Sequence, residues 1–173
     1  AGPLQWRSIV DWLRADGVIS AEQAERTIAR CAQAESSQHP LVRLGNLSML
    51  RAADDKPLDV DMLTEYVAQR CGLAFLRIDP LKVDVGRVAD AMYAERHKVL
   101  PVQVSCSEVV VATAEPFVND WVAEVERQTK RQVRRVLANP QHITRYTAEF
   151  FALAKSVREA SKSGGSAGGS SFE

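Results

Sequence analysis

The chain has 173 residues, 46% hydrophobic and 25% charged, which points to a soluble globular protein of one domain or two small ones with a real core. Its 22 Lys and Arg balance 22 Asp and Glu, so no overall field gathers nucleic acid or an anionic membrane, and the charge balance favours a protein partner. No apolar run approaches the ~20 residues of a membrane span and no signal-peptide pattern opens the chain, which argues against membrane insertion and for the cytoplasm.

The first third reads as helices. "QWRSIVDWLRADG" places Trp6, Ile9, Val10 and Leu13 on one face and stops at Gly17, a residue suited to a left-handed helix end. Ser20 with Gln23 resembles a capping box opening a helix whose inner face is Ala24, Ile28 and Cys31. After "ESSQHP", the run "LVRLGNLSML" starts a third helix. A fourth starts at Asp59 or Asp61, with Met62, Tyr66 and Val67 inward, and ends at Gly72.

Beyond Gly72 the period changes. "LAFLRID" is a short apolar run, and "VGRVADAMYAERHK" has helical spacing at Val85, Val88, Met92 and Ala94. "VLPVQV" and "EVVVAT", separated by "SCS", read as an antiparallel hairpin. "EPFVNDWVAEVERQTK" returns to helix from Pro116, with Val118, Trp121, Val122 and Val125 on one side. "RQVRRVL" is a strand. The last helix takes Asn139 as N-cap and Pro140 at its first position, with Ile143, Tyr146, Phe150, Leu153 and Val157 inward. The fold class is therefore α+β: a helical subdomain over 1–71, then a β-α-β-β-α-β-α module with a small mixed sheet over 72–162. Residues 162–173 carry four Gly and four Ser, so 163–173 read as a flexible linker or a tail added for production.

Few residues of the sequence are arranged for chemistry. No glycine-rich loop followed by Lys and Ser or Thr is present to cradle phosphates, and no nucleophile elbow or assignable triad is present, so the chain is not an enzyme and its catalytic residues are none. An enzymatic site would require His97, Glu95 or Glu108 to converge in a cleft. His39, His97 and His142 stand singly and read as surface residues, leaving no metal site. Cys31, Cys71 and Cys106 read as small buried hydrophobes. The basic cluster Lys130, Arg131, Arg134 and Arg135 reads as a charge-protected edge strand, with contact to an acidic protein as the alternative; RNA binding would call for interleaved aromatics.

The residues Gly72-Leu73-Ala74-Phe75, Arg96 with Leu100-Pro101-Val102, and Val111-Ala112-Thr113-Ala114 with Pro116 resemble the N-terminal, MshE-type domain of the type II secretion and type IV pilus assembly ATPases. The likeness runs over roughly 41–160, and "RRVLANPQHITRYTAEFF" looks more like the type II secretion branch. Ala74 departs from the proline usual in the family. The resemblance implies a flexible tether at 163–173 to a hexameric motor, where ATP and Mg would bind, and no cofactor in this chain itself. It implies docking to the cytoplasmic part of an inner-membrane platform protein, which would hold the domain peripherally at that membrane. The isolated domain is expected to be monomeric or weakly dimeric.

A second function follows from the same likeness, because some members bind cyclic di-GMP through a repeated motif. One copy here has Arg43-Leu44-Gly45 and the apolar residues Leu63 and Val67, but no central Gly and Arg70 in place of the final Gln. The other keeps Gly17-Val18-Ile19 with Ile28, but has Ser8-Ile9-Val10 for the opening and Cys31 for the Gln. The candidate ligand residues are thus Arg43, Leu44, Gly45, Gly17, Leu63 and Val67. Arg stacks on guanine, Gly admits the ligand to the backbone, and the apolar residues cover it.

Overall fold

The computed structural model of the chain describes residues 2–88 and 98–171. Four helices come first: α1 (Trp6–Ala15), α2 (Ala21–Ala32), α3 (Pro40–Asn46) and α4 (Val60–Cys71). Then come β1 (Ala74–Phe75), a 3₁₀ turn (Pro80–Lys82), α5 (Val85–Val88), β2 (Leu100–Val104), β3 (Glu108–Thr113), α6 (Val122–Thr129), β4 (Gln132–Leu137) and α7 (Pro140–Ser171). This is the expected helical region followed by a β-α-β-β-α-β-α module.

Helix ends sit where local chemistry puts them. Ser20 Oγ accepts from the Gln23 N–H at 3.0 Å. The box is half made, because Gln23 Oε1 instead accepts from the Leu50 N–H at 3.2 Å. Asp59 caps α4 through the Met62 N–H at 2.8 Å, and Asn139 caps α7 through the Gln141 N–H at 2.8 Å. Gly17 and Gly72, both at φ +72°, close α1 and α4. At each, the glycine N–H and the next N–H reach back to consecutive carbonyls: Gly17 to Arg14 and Val18 to Leu13, Gly72 to Gln69 and Leu73 to Ala68. These are paired left-handed closures.

Other boundaries differ from expectation. The third helix stops at Asn46, because Ser48 turns left-handed (φ +52°) and Leu50 pairs with Pro57. The apolar run after Gly72 contributes only two strand residues. The sixth helix opens at Val122 rather than near Pro116. Met62 and Tyr66 are half-buried while Leu63, Thr64, Val67 and Ala68 carry the buried face of α4. Ile143 and Phe150 are buried on α7, but Leu153 is 51% exposed. Met92, Ala94, Glu95, Arg96 and His97 lie outside the described residues.

The sheet order is β1-β4-β3-β2. β1 and β4 run parallel, with Ala74 opposite Val136 and Phe75 opposite Leu137. β2 and β3 are antiparallel with a bulge between Pro101 and Gln103. β4 is therefore interior at Val136 and Leu137, which departs from its reading as an edge strand, while its charged stretch 132–135 lies beyond the two-residue β1. Its arginines are accommodated by partners: Arg134 pairs with Glu108 at 2.8 Å, and Arg131 Nε donates to the Ser105 carbonyl at 2.6 Å.

The chain divides into two compact units. One comprises Ala1–Arg77, Thr113–Asn119 and Arg135–Gln141; the other comprises Ile78–Ala112, Asp120–Arg134 and His142–Glu173. The first unit buries Ile9, Val10 and Leu13 of α1, Leu41 and Leu44 of α3, Leu63 and Val67 of α4, and Leu137 in one apolar core. In the second, β3 is buried along nearly its whole length, and Trp121, Val125 and Phe150 are enclosed.

Candidate functional site

The motif residues occupy α3 and the elements around it, all in the first unit. Arg43, half-buried, projects from the last turn of α3. Its Nη2 donates to the Cys31 carbonyl at 2.8 Å and to the Ala34 carbonyl, and its ζ-carbon lies 5.7 Å from the centroid of the Trp6 ring. The guanidinium thus closes the C-terminal end of α2, where the helix dipole favours a cation, and the α1 indole backs it. It is a flat, pre-positioned cation whose Nη2 is occupied.

Leu44, Leu63 and Val67 are each 0% exposed and belong to one core beside Cys31. None of the three presents a surface to solvent. Gly45 has a packing cause: a Cβ there would lie 2.5 Å from Val60 Cγ2 and 3.0 Å from the Val60 backbone nitrogen, so only glycine lets α3 approach the start of α4. Gly17 is different. It is exposed, a Cβ there would meet nothing within 4 Å, and its left-handed φ is what the α1 ending requires. The turn it forms is joined to the loop after α3 by the Ala52 N–H, which donates to the Val18 carbonyl at 2.8 Å. That loop carries the stretch "ADDKP" (53–57) as an ordered turn, clasped by Arg51 and Asp54 through two bonds of 2.9 and 2.6 Å.

His39 is not a plain surface residue. Its Nδ1 accepts from the Leu41 N–H at 3.1 Å, capping α3, and its Nε2 lies 3.0 Å from both the Ala114 carbonyl and Glu115 Oε1. Glu115 Oε2 accepts from the Leu4 N–H at 2.7 Å. His142 packs against the Tyr146 ring at 6.1 Å. Among the described residues no group of three His, Cys, Asp or Glu side chains is placed to hold a metal. Glu108 is paired with Arg134, while Glu95 and His97 lie outside the described residues. Of the cysteines, Cys31 is buried, Cys71 half-buried and Cys106 exposed in the hairpin turn, so the expectation of burial fails for Cys106, where the turn projects its side chain. Burial raises the Cys31 and Cys71 thiols above their ordinary value despite nearby arginines, which leaves neither activated as a nucleophile.

A second cluster on the same unit escaped the sequence reading. Asp16, just past α1, accepts from the Tyr66 hydroxyl and from Arg70 Nη1 (2.6 Å) on α4. The hydrogen bond from Tyr66, then the one from Arg70, holds the Asp16 carboxyl below its usual range, and burial with the Asp16 contact pushes the Tyr66 phenol up to about 12. Arg70 stacks over Trp12 at 5.1 Å, and Trp12 meets Phe117 edge-on at 6.2 Å. The i, i+4 spacing of Tyr66 and Arg70 was visible, but Phe117 comes from a distant segment that local patterns cannot place.

Comparison with known proteins gives a consistent result. Residues 71–157 match the MshEN domain. The chain is 30% identical over 161 residues to the type IV pilus assembly ATPase TfpB of Acinetobacter baylyi; the match covers 88% of this chain and 27% of that protein's length. A solved structure of MshE with cdg superposes with a TM-score of 0.57 at 16% identity, covering 82% of this chain and 97% of that one. At that identity the likeness speaks to fold. Among the described residues no helix is long and apolar enough to cross a membrane.

Proposed function

Because the chain belongs to the MshEN-domain family, corresponding to the non-catalytic N-terminal module of pilus-type ATPases rather than to their catalytic domain, we propose that it is a regulatory module that binds cyclic di-GMP. The observation that carries this reading is the fold shared with MshE, whose solved structure is with cdg, over 97% of that chain. The Arg43 guanidinium supplies the matching chemistry. It is backed by Trp6 and held on α2, so a guanine stacking on its outer face meets a cation whose position costs little further ordering. Leu44, Leu63 and Val67 belong to the apolar core of the same unit, Gly45 permits the close helix approach, and the Gly17 turn supplies the second half of the motif.

Docking is the second reading, favoured by apolar side chains left on the surface of α7, where Phe151 is 50% and Leu153 51% exposed. The partner is the cytoplasmic part of an inner-membrane platform protein, and residues 163–173 are the tether that lets a motor cycle without breaking that contact. The run from Arg134 to Phe151 favours type II secretion, while the Acinetobacter relative carries a pilus-assembly name. The proposal is therefore made for the family they share. Calorimetric titration with cyclic di-GMP tests the first reading. Capture by the cognate platform protein's cytoplasmic part tests the second, and no capture at about ten micromolar, some 7 kcal/mol of association, sinks it.

A further inference from the structure

We infer that Trp12, Tyr66, Arg70, Phe117 and Arg135 form a docking site for an acidic, leucine-bearing segment of a partner protein. The groups are ordered before any partner arrives. Asp16 fixes one end of the Arg70 guanidinium at 2.6 Å and also accepts from Tyr66. The face of that guanidinium rests on Trp12 at 5.1 Å, and Trp12 meets Phe117 at an interplanar angle of 70°. Arg135 Nη1 donates to the Pro116 carbonyl at 2.9 Å, which sets its guanidinium beside the residue preceding Phe117. Both Arg70 and Arg135 act electrostatically on the Cys71 thiol, so the two cations share one neighbourhood.

This ladder is reachable from solvent: Phe117 is 39% exposed, and the Arg70 and Asp16 side chains are 35% and 43% exposed. A contact between α1 and α4 alone would need only Asp16, Tyr66 and Arg70; it would not need an aromatic edge and a second arginine contributed by 113–119 and 135–141. Trp, Tyr and Arg dominate the energetics of protein interfaces, and side chains already immobilised lose little entropy when a partner binds. Charge selects the occupant. Arg70 and Arg135 stand with the Asp16 carboxylate paired to Arg70, and Glu115, two residues before Phe117, is engaged by His39 and Leu4. The excess is positive, and the exposed Phe117 ring needs an apolar side chain to cover it, so the fitting partner interleaves carboxylates with leucine-sized residues. Of the basic cluster, Arg135 is the member set beside Phe117, while Arg131 and Arg134 are engaged within the second unit.

The test is fluorescence anisotropy of a fluorescein-labelled peptide alternating Glu and Leu, titrated with the whole chain. Saturable binding is expected, weakened about tenfold by Arg135→Glu, equivalent to about 1.4 kcal/mol, and weakened also by Phe117→Ala. A Lys/Leu peptide should recover binding to the Arg135→Glu chain. If that variant fails to fold, Arg135→Gln with Phe117→Ser gives the same reading. No saturation, equal binding of the Lys/Leu peptide by the unaltered chain, indifference to both substitutions, or preference for phosphatidylglycerol vesicles over the peptide would overturn the assignment. Retained cyclic di-GMP heat in the Arg135→Glu chain keeps this surface separate from the nucleotide reading.

Discussion

The Arg43 guanidinium lies over the Trp6 ring, 5.7 Å from its centroid, while its Nη2 bridges the carbonyls of Cys31 and Ala34 at the end of α2. One side chain therefore joins α1, α2 and α3. Arg43→Ala should destabilise the chain by ~2 kcal/mol, the scale of hydrogen bonds from a charged donor plus a cation–π contact. Arg43→Lys keeps the charge but not the planar fork and should recover only part of the loss. Urea unfolding of both variants checks this, and equal stability of Arg43→Ala and the parent would refute the clasp. Ligand binding by these variants is to be measured under conditions where each is folded.

Gly45→Ala sets two effects against each other. Alanine raises helix propensity by about 1 kcal/mol over glycine, but its Cβ would stand 2.5 Å from Val60 Cγ2 and 3.0 Å from the Val60 backbone nitrogen. Backbone does not yield as a flexible side chain would, and overpacking costs typically 1–3 kcal/mol, so a net destabilisation is expected. A stabilised Gly45→Ala chain would show that α3 and α4 pack less closely than described.

Much of this architecture could be read locally. Ser20, Asp59, Asn139, Gly17 and Gly72 carry their effect within a few residues, and each ends or begins a helix where its chemistry indicates. The β2–β3 hairpin was equally plain from two apolar runs close in sequence. The position of β4 was not, because an interior strand differs from an edge strand only in partners contributed by distant segments, here β1 and β3. The motif residues Leu44, Leu63 and Val67 could be identified as apolar but not as core, since helical spacing does not distinguish a buried face from a ligand cover. Phe117 joined Trp12 only through tertiary folding.

Alkaline and acid titrations probe two surface contacts. The Tyr66 phenol is raised from 10.0 to about 12, chiefly by burial and then by Asp16. Its contribution to stability is complete below pH 10 and disappears as pH rises through about 12. Ultraviolet titration should show the Tyr66 tyrosinate forming near pH 12, and at lower pH in Asp16→Asn, where the charged acceptor is gone, though still above 10.0 because burial, the larger cause, remains. Asp54 moves the other way, from 3.8 to about 2, chiefly through its bond to Arg51. Its contribution is present above 3.8 and lost as pH falls through about 2, so the loop between α3 and α4 should stay clasped at pH 3 by NMR.

Asn139 is buried and serves two partners, accepting from the Gln141 N–H and donating to Asp61 Oδ1 at 2.9 Å. Asn139→Ala removes a helix cap, worth typically ~1 kcal/mol, and also the bond to the first turn of α4. A loss of about 2 kcal/mol by thermal or urea unfolding is expected, and Asn139→Asp should not recover it, because its carboxylate would face that of Asp61.

Hydrogen exchange along α7 tests the proposed tether. The helix runs to Ser171, but four glycines fall within residues 162–173, each costing about 1 kcal/mol relative to alanine in a helix interior. Amides beyond Lys162 should exchange far faster than those around Ile143 and Phe150. Equal protection would make this segment a rigid extension and remove the tether from the account.

Calorimetric titration of the whole chain with cyclic di-GMP, with GTP as control, bears most directly on the central claim. Saturable heat at micromolar affinity, about −8 kcal/mol, is expected, with none from GTP and none from Arg43→Ala under folded conditions. No heat from cyclic di-GMP at high concentration, or the same heat from GTP, would contradict it and leave docking as the function of the domain.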